Sequence, residues 1–165
     1  MRPGKNSYIF KKIKNEKVLI TGHSGFIGSW LFHILTKKKI KTFGLGLKHK
    51  KTQDLFHLLG LEKNKNSSFI NILDYPKLRK FIKRHKPTTI IHLAAESLVI
   101  KAFNNPYKAY NTNIIGTLNI LKSIREFNFI NNAIFFTSDK VYANDNYNKK
   151  FLENDHLGGD DPYSG

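Results

Sequence analysis

Several short groups of residues in this chain could do chemistry. The first is Gly22-x-x-Gly25-x-x-Gly28. Glycines at that spacing permit a tight turn, let backbone approach an anion, and let the next helix pack close to the preceding strand. A helix starting there offers unpaired N–H groups and partial positive charge to a phosphate. The pattern points to the pyrophosphate of a dinucleotide. The second group is Thr137-Ser138-Asp139-Lys140. A hydroxyl, a carboxyl and an amine side by side either move protons or simply form a turn. Asp74 is a candidate for the amino group of an adenine, for the N-cap of the helix behind it, or for both. Tyr163, taken alone, reads as a surface residue at a helix start.

Hydrophobic spacing names the elements that must position these groups. Lys17–Thr21 is a short apolar run that leads straight into the glycines. Behind them Phe26, Ile27, Trp30, Leu31, Ile34 and Leu35 recur at helical spacing. Lys37, Lys38 and Lys39 then favour a helix C-terminus. Further strands are expected over residues 40–47, 69–73, 88–94 and 133–137. The run 88–94 is nearly all apolar, as in a strand covered on both faces. One amphipathic helix carries Tyr75, Leu78, Phe81 and Ile82 and closes at Lys83, Arg84 and Pro87. A longer one follows Pro106, with Tyr110, Ile114, Leu118, Leu121 and Ile124 on one stripe. Residues 144–161 are polar and read as a loop, after which Asp160, Asp161 and Pro162 announce a new helix. Strands alternating with helices imply an α/β fold, a doubly wound parallel sheet with helices on both faces. Residues 137–140 then fall at the C-terminal end of the fifth strand, where open parallel sheets bind ligands.

Composition narrows the function classes. At 165 residues and 19.1 kDa the chain has room for one domain, and 40% hydrophobic residues exclude a disordered polar tract. There is no cysteine, so a disulfide scaffold and Cys-ligated zinc or iron–sulfur sites are excluded, and no metal site is expected. The formal charge is +16 with a pI near 10.0, which raises nucleic acid as a partner. Yet only Arg2, Arg79, Arg84 and Arg125 are arginines, and arginine is the usual choice for phosphate and base recognition. A lysine-rich surface around an anionic small-molecule ligand accounts for the charge, and no nucleic-acid partner is expected. Nothing approaches the ~18–20 apolar residues of a membrane span, so no membrane partner is expected either. Residues 1–16 form a basic arm without the apolar stretch of a secretory signal, leaving a domain over 17–165 and the cytoplasm as the default location.

The choice of dinucleotide is open at this level. A dinucleotide fold usually places an acid about 20 residues after the glycines, on the ribose hydroxyls. Here Phe43-Gly44-Leu45-Gly46 occupies that place, and no acid lies between Glu16 and Asp54. The cations Lys48, His49, Lys50 and Lys51 either meet a 2′-phosphate and favour NADP, or are solvated surface.

Together the motifs resemble the extended short-chain dehydrogenase/reductase family of NAD-dependent epimerases and dehydratases, and within it the CDP-glucose 4,6-dehydratases. The resemblance runs from Val18 to the end of the chain. It is carried by Thr21-Gly-His-Ser-Gly-Phe-Ile-Gly-Ser-Trp-Leu31, Asp54-Leu-Phe-His-Leu-Leu-Gly60 and His92-Leu-Ala-Ala-Glu-Ser-Leu-Val99. Asn111-Thr-Asn-Ile-Ile-Gly-Thr117, Thr137-Ser-Asp-Lys-Val-Tyr142 and Leu157-Gly-Gly-Asp-Asp-Pro-Tyr-Ser164 complete it. Gly-Ser-Trp after the glycines, and Lys140 where related dehydratases carry Glu, point to the CDP-glucose subgroup.

The resemblance implies a Rossmann-like fold and an NAD cofactor, with NADP as the alternative. It implies cofactor contacts from Gly22, Ser24, Gly25, Phe26, Ile27, Gly28, Asp74, Leu93, Ala94, Ala95 and Asn113. The implied reaction oxidises a nucleotide-linked glucose at carbon 4, removes water across carbons 5 and 6, and returns the hydride to carbon 6. Tyr163 would take the 4-hydroxyl proton and Ser138 would hydrogen-bond that oxygen. Lys140 would take the carbon-5 proton while Asp139 protonates the departing 6-hydroxyl. Lys140 can be a base only where burial or positive charge disfavours its charged form, and Asp139 an acid only where it is desolvated. The family's lysine four residues after the tyrosine would be position 167, past Gly165. The expectation is therefore a chain truncated before the sheet and the C-terminal nucleotide-sugar domain are complete, inactive alone, and a homodimer when full length. The alternatives are another nucleotide-sugar epimerase or dehydratase of this fold, and a non-catalytic NAD(P)-binding module.

Overall fold

The computed structural model describes residues 13–48, 53–143 and 150–164. Most of the basic arm, the cations His49, Lys50 and Lys51, and Gly165 lie outside the described residues. Among the described residues the strands are β1 (Lys17–Thr21), β2 (Lys41–Gly46), β3 (Ser67–Phe69), β4 (Thr89–His92) and β5 (Asn132–Phe135). They pair in parallel in the order β3-β2-β1-β4-β5. Four helices are α1 (Phe26–Lys37), α2 (Leu55–Leu58), α3 (Tyr75–His85) and α4 (Val99–Asn104). The long helix after Pro106 is built from α5 (Pro106–Tyr110), a π-helical turn (Asn111–Ile115) and α6 (Gly116–Glu126).

Side-chain alternation along β1 builds two cores. Leu19 points to one face and joins Phe43, Leu45 and Ile90 with Leu78, Phe81 and Ile82 of α3 and Ile120 of α6. Val18 and Ile20 point to the other and join Phe32 and Leu35 of α1 and Phe56 of α2. The expected Rossmann-like sheet with helices on both faces is thus observed. The strand ends explain the rest: in a parallel sheet all C-terminal ends lie on one edge, and the glycine turn leaves β1 at that edge.

Every strand but the first differs in its bounds from the sequence expectation, the fourth covering Thr89–His92 rather than 88–94. The third strand lies at 67–69 rather than 69–73, because the Asn71 side chain accepts the Leu73 N–H at 3.0 Å and turns the chain out of the ladder. The second and fifth strands are shorter than expected, and α2 and α4 carried no clear periodicity. The apolar stripe also divides. Tyr110, Ile114, Leu118 and Leu121 are exposed, whereas Ile124 packs against the core.

At the far end, Tyr142 bridges Leu157 in antiparallel fashion, and the Tyr142 and Phe151 rings stack 4.9 Å apart. The helix start expected at Pro162 is present as a capped turn. Asp161 accepts the Tyr163 N–H at 2.7 Å and the Ser164 hydroxyl at 2.7 Å. That Ser164 bond, foremost, holds the Asp161 carboxyl below its ordinary pKa.

Candidate functional site

The glycines do what their spacing suggests. Gly22 has φ +72°, and a Cβ there would come within 2.8 Å of Ala94 N, on the turn after β4. Gly28 lies so close to the turn that a Cβ would sit 2.1 Å from the Gly22 carbonyl oxygen. Ser29 fastens this corner, donating its hydroxyl to the Gly25 carbonyl at 2.7 Å. The N-cap of α1 is Gly25, with no capping side chain and no acid in the first turn. Its first N–H groups are thus offered to an anion.

The missing acid after β2 has a packing explanation. His23 is buried against Phe32 and Phe56 edge-on, and its Nε2 lies 2.6 Å from Ser67 Oγ. A Cβ on Gly44 would meet the His23 ring at 2.2 Å, and one on Gly46 would meet Ser24 Oγ at 2.8 Å. The glycines of β2 make room for His23 and Ser24. The Ser24 hydroxyl in turn donates to the Leu47 carbonyl at 2.9 Å, tying the glycine turn to the end of β2.

A cleft of about 550 Å³ opens along the C-terminal edge of the sheet. Of the residues expected to contact the cofactor, Gly22, Ser24, Gly25, Phe26, Ile27, Gly28, Leu93, Ala94 and Ala95 line it. Tyr163 and Thr137 stand on the same wall system. Asp74 does not. It caps α3 by accepting the Lys77 N–H at 3.1 Å and pairs with Lys77 Nζ at 2.6 Å. That side-chain contact with Lys77 is the main cause of its lowered pKa. Asn71, three residues earlier, lines the cleft, and no motif in the sequence marks it.

Asn113 is likewise off the cleft wall, but it shapes the wall. Its Oδ1 accepts the Glu96 N–H at 2.8 Å and its Nδ2 donates to the Glu96 carbonyl at 3.2 Å. The π turn that carries Asn113 also puts Thr112 on the cleft, in keeping with the concentration of such turns at functional sites. Lys108 reaches the same wall and is paired with Glu96 at 2.6 Å.

The expected catalytic group is divided between two hollows. Ser138 caps the short turn Asp139–Val141, accepting the Lys140 N–H at 3.1 Å. Asp139 and Lys140 are exposed and line a second hollow of about 380 Å³ with His156, Gly159, Asp161 and Ser164. Segments 137–140 and 161–164 border both hollows. Neither Asp139 nor Lys140 has the burial that the acid and base roles require. Among the described residues no cluster of His, Cys, Asp and Glu could hold a metal. No helix among them is long and apolar enough to cross a membrane.

Beneath the cleft lies His92, quoted in a motif above but given no role. It is 5% exposed at the end of β4. Its Nδ1 is 2.6 Å from Thr21 Oγ1 and its Nε2 is 3.1 Å from Thr117 Oγ1. Burial pushes its pKa down to about 4.

Comparison with known proteins places the chain in a family. Residues 19–165 match the family described as GDP-mannose 4,6 dehydratase. The CDP-glucose 4,6-dehydratase of Salmonella typhimurium strain LT2 is 35% identical over 151 residues, 92% of this chain and 42% of that protein. The dTDP-D-glucose 4,6-dehydratase of Dictyostelium discoideum is 32% identical, over 90% of this chain and 37% of that one. The chain therefore spans about two-fifths of the length of these relatives. Among solved structures, a UDP-glucose-4-epimerase from Stenotrophomonas maltophila with bound NAD superposes with a TM-score of 0.74. That match covers 91% of this chain and 45% of the epimerase at 22% identity, a likeness of fold. Motifs, sheet order and family match converge: the chain belongs to the GDP-mannose 4,6 dehydratase family, within the extended short-chain dehydrogenases/reductases.

Proposed function

We propose that this chain supplies the dinucleotide-binding part of an NAD-dependent nucleotide-sugar 4,6-dehydratase whose substrate is CDP-glucose. One observation carries the proposal: a single cleft joins the uncapped start of α1 to the end of β5, with Tyr163 on its rim. The residues present fit NAD. The Gly22–Gly28 turn leaves backbone N–H groups for the pyrophosphate, and the apolar Leu93–Ala95 turn forms the opposite wall. Bound NAD would accept a hydride from carbon 4 and return it to carbon 6.

The chain's own residues would handle the protons. Tyr163 would receive the 4-hydroxyl proton, with Ser138 hydrogen-bonded to that oxygen. Oxidation at carbon 4 makes the carbon-5 proton acidic, and Lys140 would remove it while Asp139 protonates the leaving 6-hydroxyl. Both groups are exposed here, so these roles require substrate to desolvate them on binding. We assign 17–165 to dinucleotide binding, 1–16 to a basic arm, and the grip on the nucleotide-sugar to a further domain. The exposed stripe Tyr110, Ile114, Leu118 and Leu121 is the surface we assign to the homodimer.

Product analysis tests the proposal. Residues 1–165 would be joined to the remaining part of the Salmonella typhimurium enzyme and supplied with CDP-glucose and NAD. A 4-keto-6-deoxy sugar nucleotide is expected. A 4-epimer of CDP-glucose would contradict it.

A further inference from the structure

The hydrogen-bond geometry around His92 fixes the position of its proton. Thr21 Oγ1 has one hydrogen and two lone pairs. It faces the Ala94 N–H at 3.3 Å and shares the Leu93 N–H, at 3.2 Å, with its own carbonyl oxygen. Amide N–H groups only donate, so both approach lone pairs. The hydroxyl hydrogen is left to point at the remaining neighbour, His92 Nδ1, 2.6 Å away. That nitrogen must be bare. A neutral imidazole with bare Nδ1 carries its hydrogen on Nε2, where Thr117 Oγ1 lies at 3.1 Å as acceptor. Donation thus runs in one direction, from Thr21 to His92 to Thr117.

We infer that His92 is a positioning residue of the dinucleotide cleft: its Nε2–H tautomer clamps Thr21 on one side and Thr117 on the other, holding the cleft walls as one unit. Three pieces meet through it. Thr21 is the last residue of β1 and leads into the glycine turn. Its hydroxyl holds the Leu93–Ala94 turn, which rides directly on Gly22. Thr117 lies in the first turn of α6, which follows directly on the π turn with Thr112 and Asn113. Phe135 closes the pocket edge-on, 5.4 Å from the ring. A protonated ring would turn an N–H toward an oxygen whose lone pairs are occupied, and the Ala94 contact would be lost. Burial favours the neutral ring in the same direction.

The inference rests on the cleft being a dinucleotide site, and its test separates the two. Nitrogen NMR of the His92 ring in the ligand-free chain at neutral pH should show bare Nδ1 and protonated Nε2. An Nδ1–H tautomer or a charged ring would overturn the inference. Amide exchange should show protected Leu93 and Ala94 N–H groups that lose protection in folded His92→Phe; unchanged protection would overturn it. In NAD titration His92→Phe should weaken binding about tenfold, the scale of one lost hydrogen bond with a charge-free partner. His92→Asn, which keeps an acceptor for Thr21, should recover part of the loss. Thr21→Val should weaken NAD binding in the parent chain but add little in His92→Phe. Additive losses, or affinity within about twofold of the parent in folded His92→Phe, would overturn the clamp. Absence of NAD binding in the parent chain would instead count against the proposed function, while the tautomer and exchange results still decide the clamp.

Discussion

A side chain's protonation and a glycine's missing carbon set the sharpest expectations at the scale of single residues. Burial pushes the His92 pKa from its ordinary value of 6.5 down to about 4 in the folded chain. Between those values the unfolded state binds the extra proton, so stability rises with pH and is lost as pH falls from about 6.5 toward 4. The size is on the order of 3 kcal/mol if the whole difference is expressed. His85, pushed down mainly by burial, then by Arg84 and Lys41, acts in the same direction. Urea unfolding at several pH values should show a steeper loss in the parent chain than in His92→Asn; parallel pH profiles would contradict the burial argument. Gly28→Ala sets its new carbon 2.1 Å from backbone oxygen, which no rotamer relieves. We expect a destabilisation of about 2 kcal/mol by chemical denaturation, and a cost below about 0.5 kcal/mol would mean the corner is looser than described.

The helix ends and strand lengths decide matters at the next scale. Lys86 closes α3 in the left-handed region at φ +47° and donates its N–H to the Ile82 carbonyl. Glycine is the residue that adopts this conformation without a Cβ penalty. Lys86→Gly should therefore raise stability by about 0.5–1 kcal/mol, read as a higher unfolding midpoint at unchanged denaturant slope. The elements legible in the sequence were those whose apolar residues have a simple period or run. Lys17–Thr21 and the run around Ile90 read as strands because Val18–Ile20 and Ile90–Ile91 are unbroken apolar stretches, covered on both faces by helices. What stayed hidden depends on contacts between distant residues. Asn71 ends β3 by a side-chain turn, the glycines of β2 answer to His23 some twenty positions earlier, and the π turn breaks a helical stripe without changing its residue types. Asp74 shows the converse: its local N-cap role was readable in the sequence and is observed, with the Lys77 N–H as its partner.

For the molecule as a whole, one cleft gathers the glycine turn, the Leu93–Ala95 turn and Tyr163, while Asp139 and Lys140 line a second hollow. The chain alone, given NAD and CDP-glucose, should form no product. Turnover above background would show that the acid, base and tyrosine need no further residues. Leu118→Asp, in the middle of the exposed apolar stripe, should lower self-association in sedimentation; an unchanged association state would remove that stripe from the homodimer proposal. The central claim is that the Gly22–Gly28 turn and the start of α1 bind the pyrophosphate of NAD. Titration of the parent chain and Gly25→Asp with NAD tests it most directly, because the carboxylate would occupy the anion's place at the helix N-cap. The account predicts saturable one-to-one binding by the parent and at least about a tenfold loss in the folded variant. No binding by the parent, or equal binding by both, would contradict it.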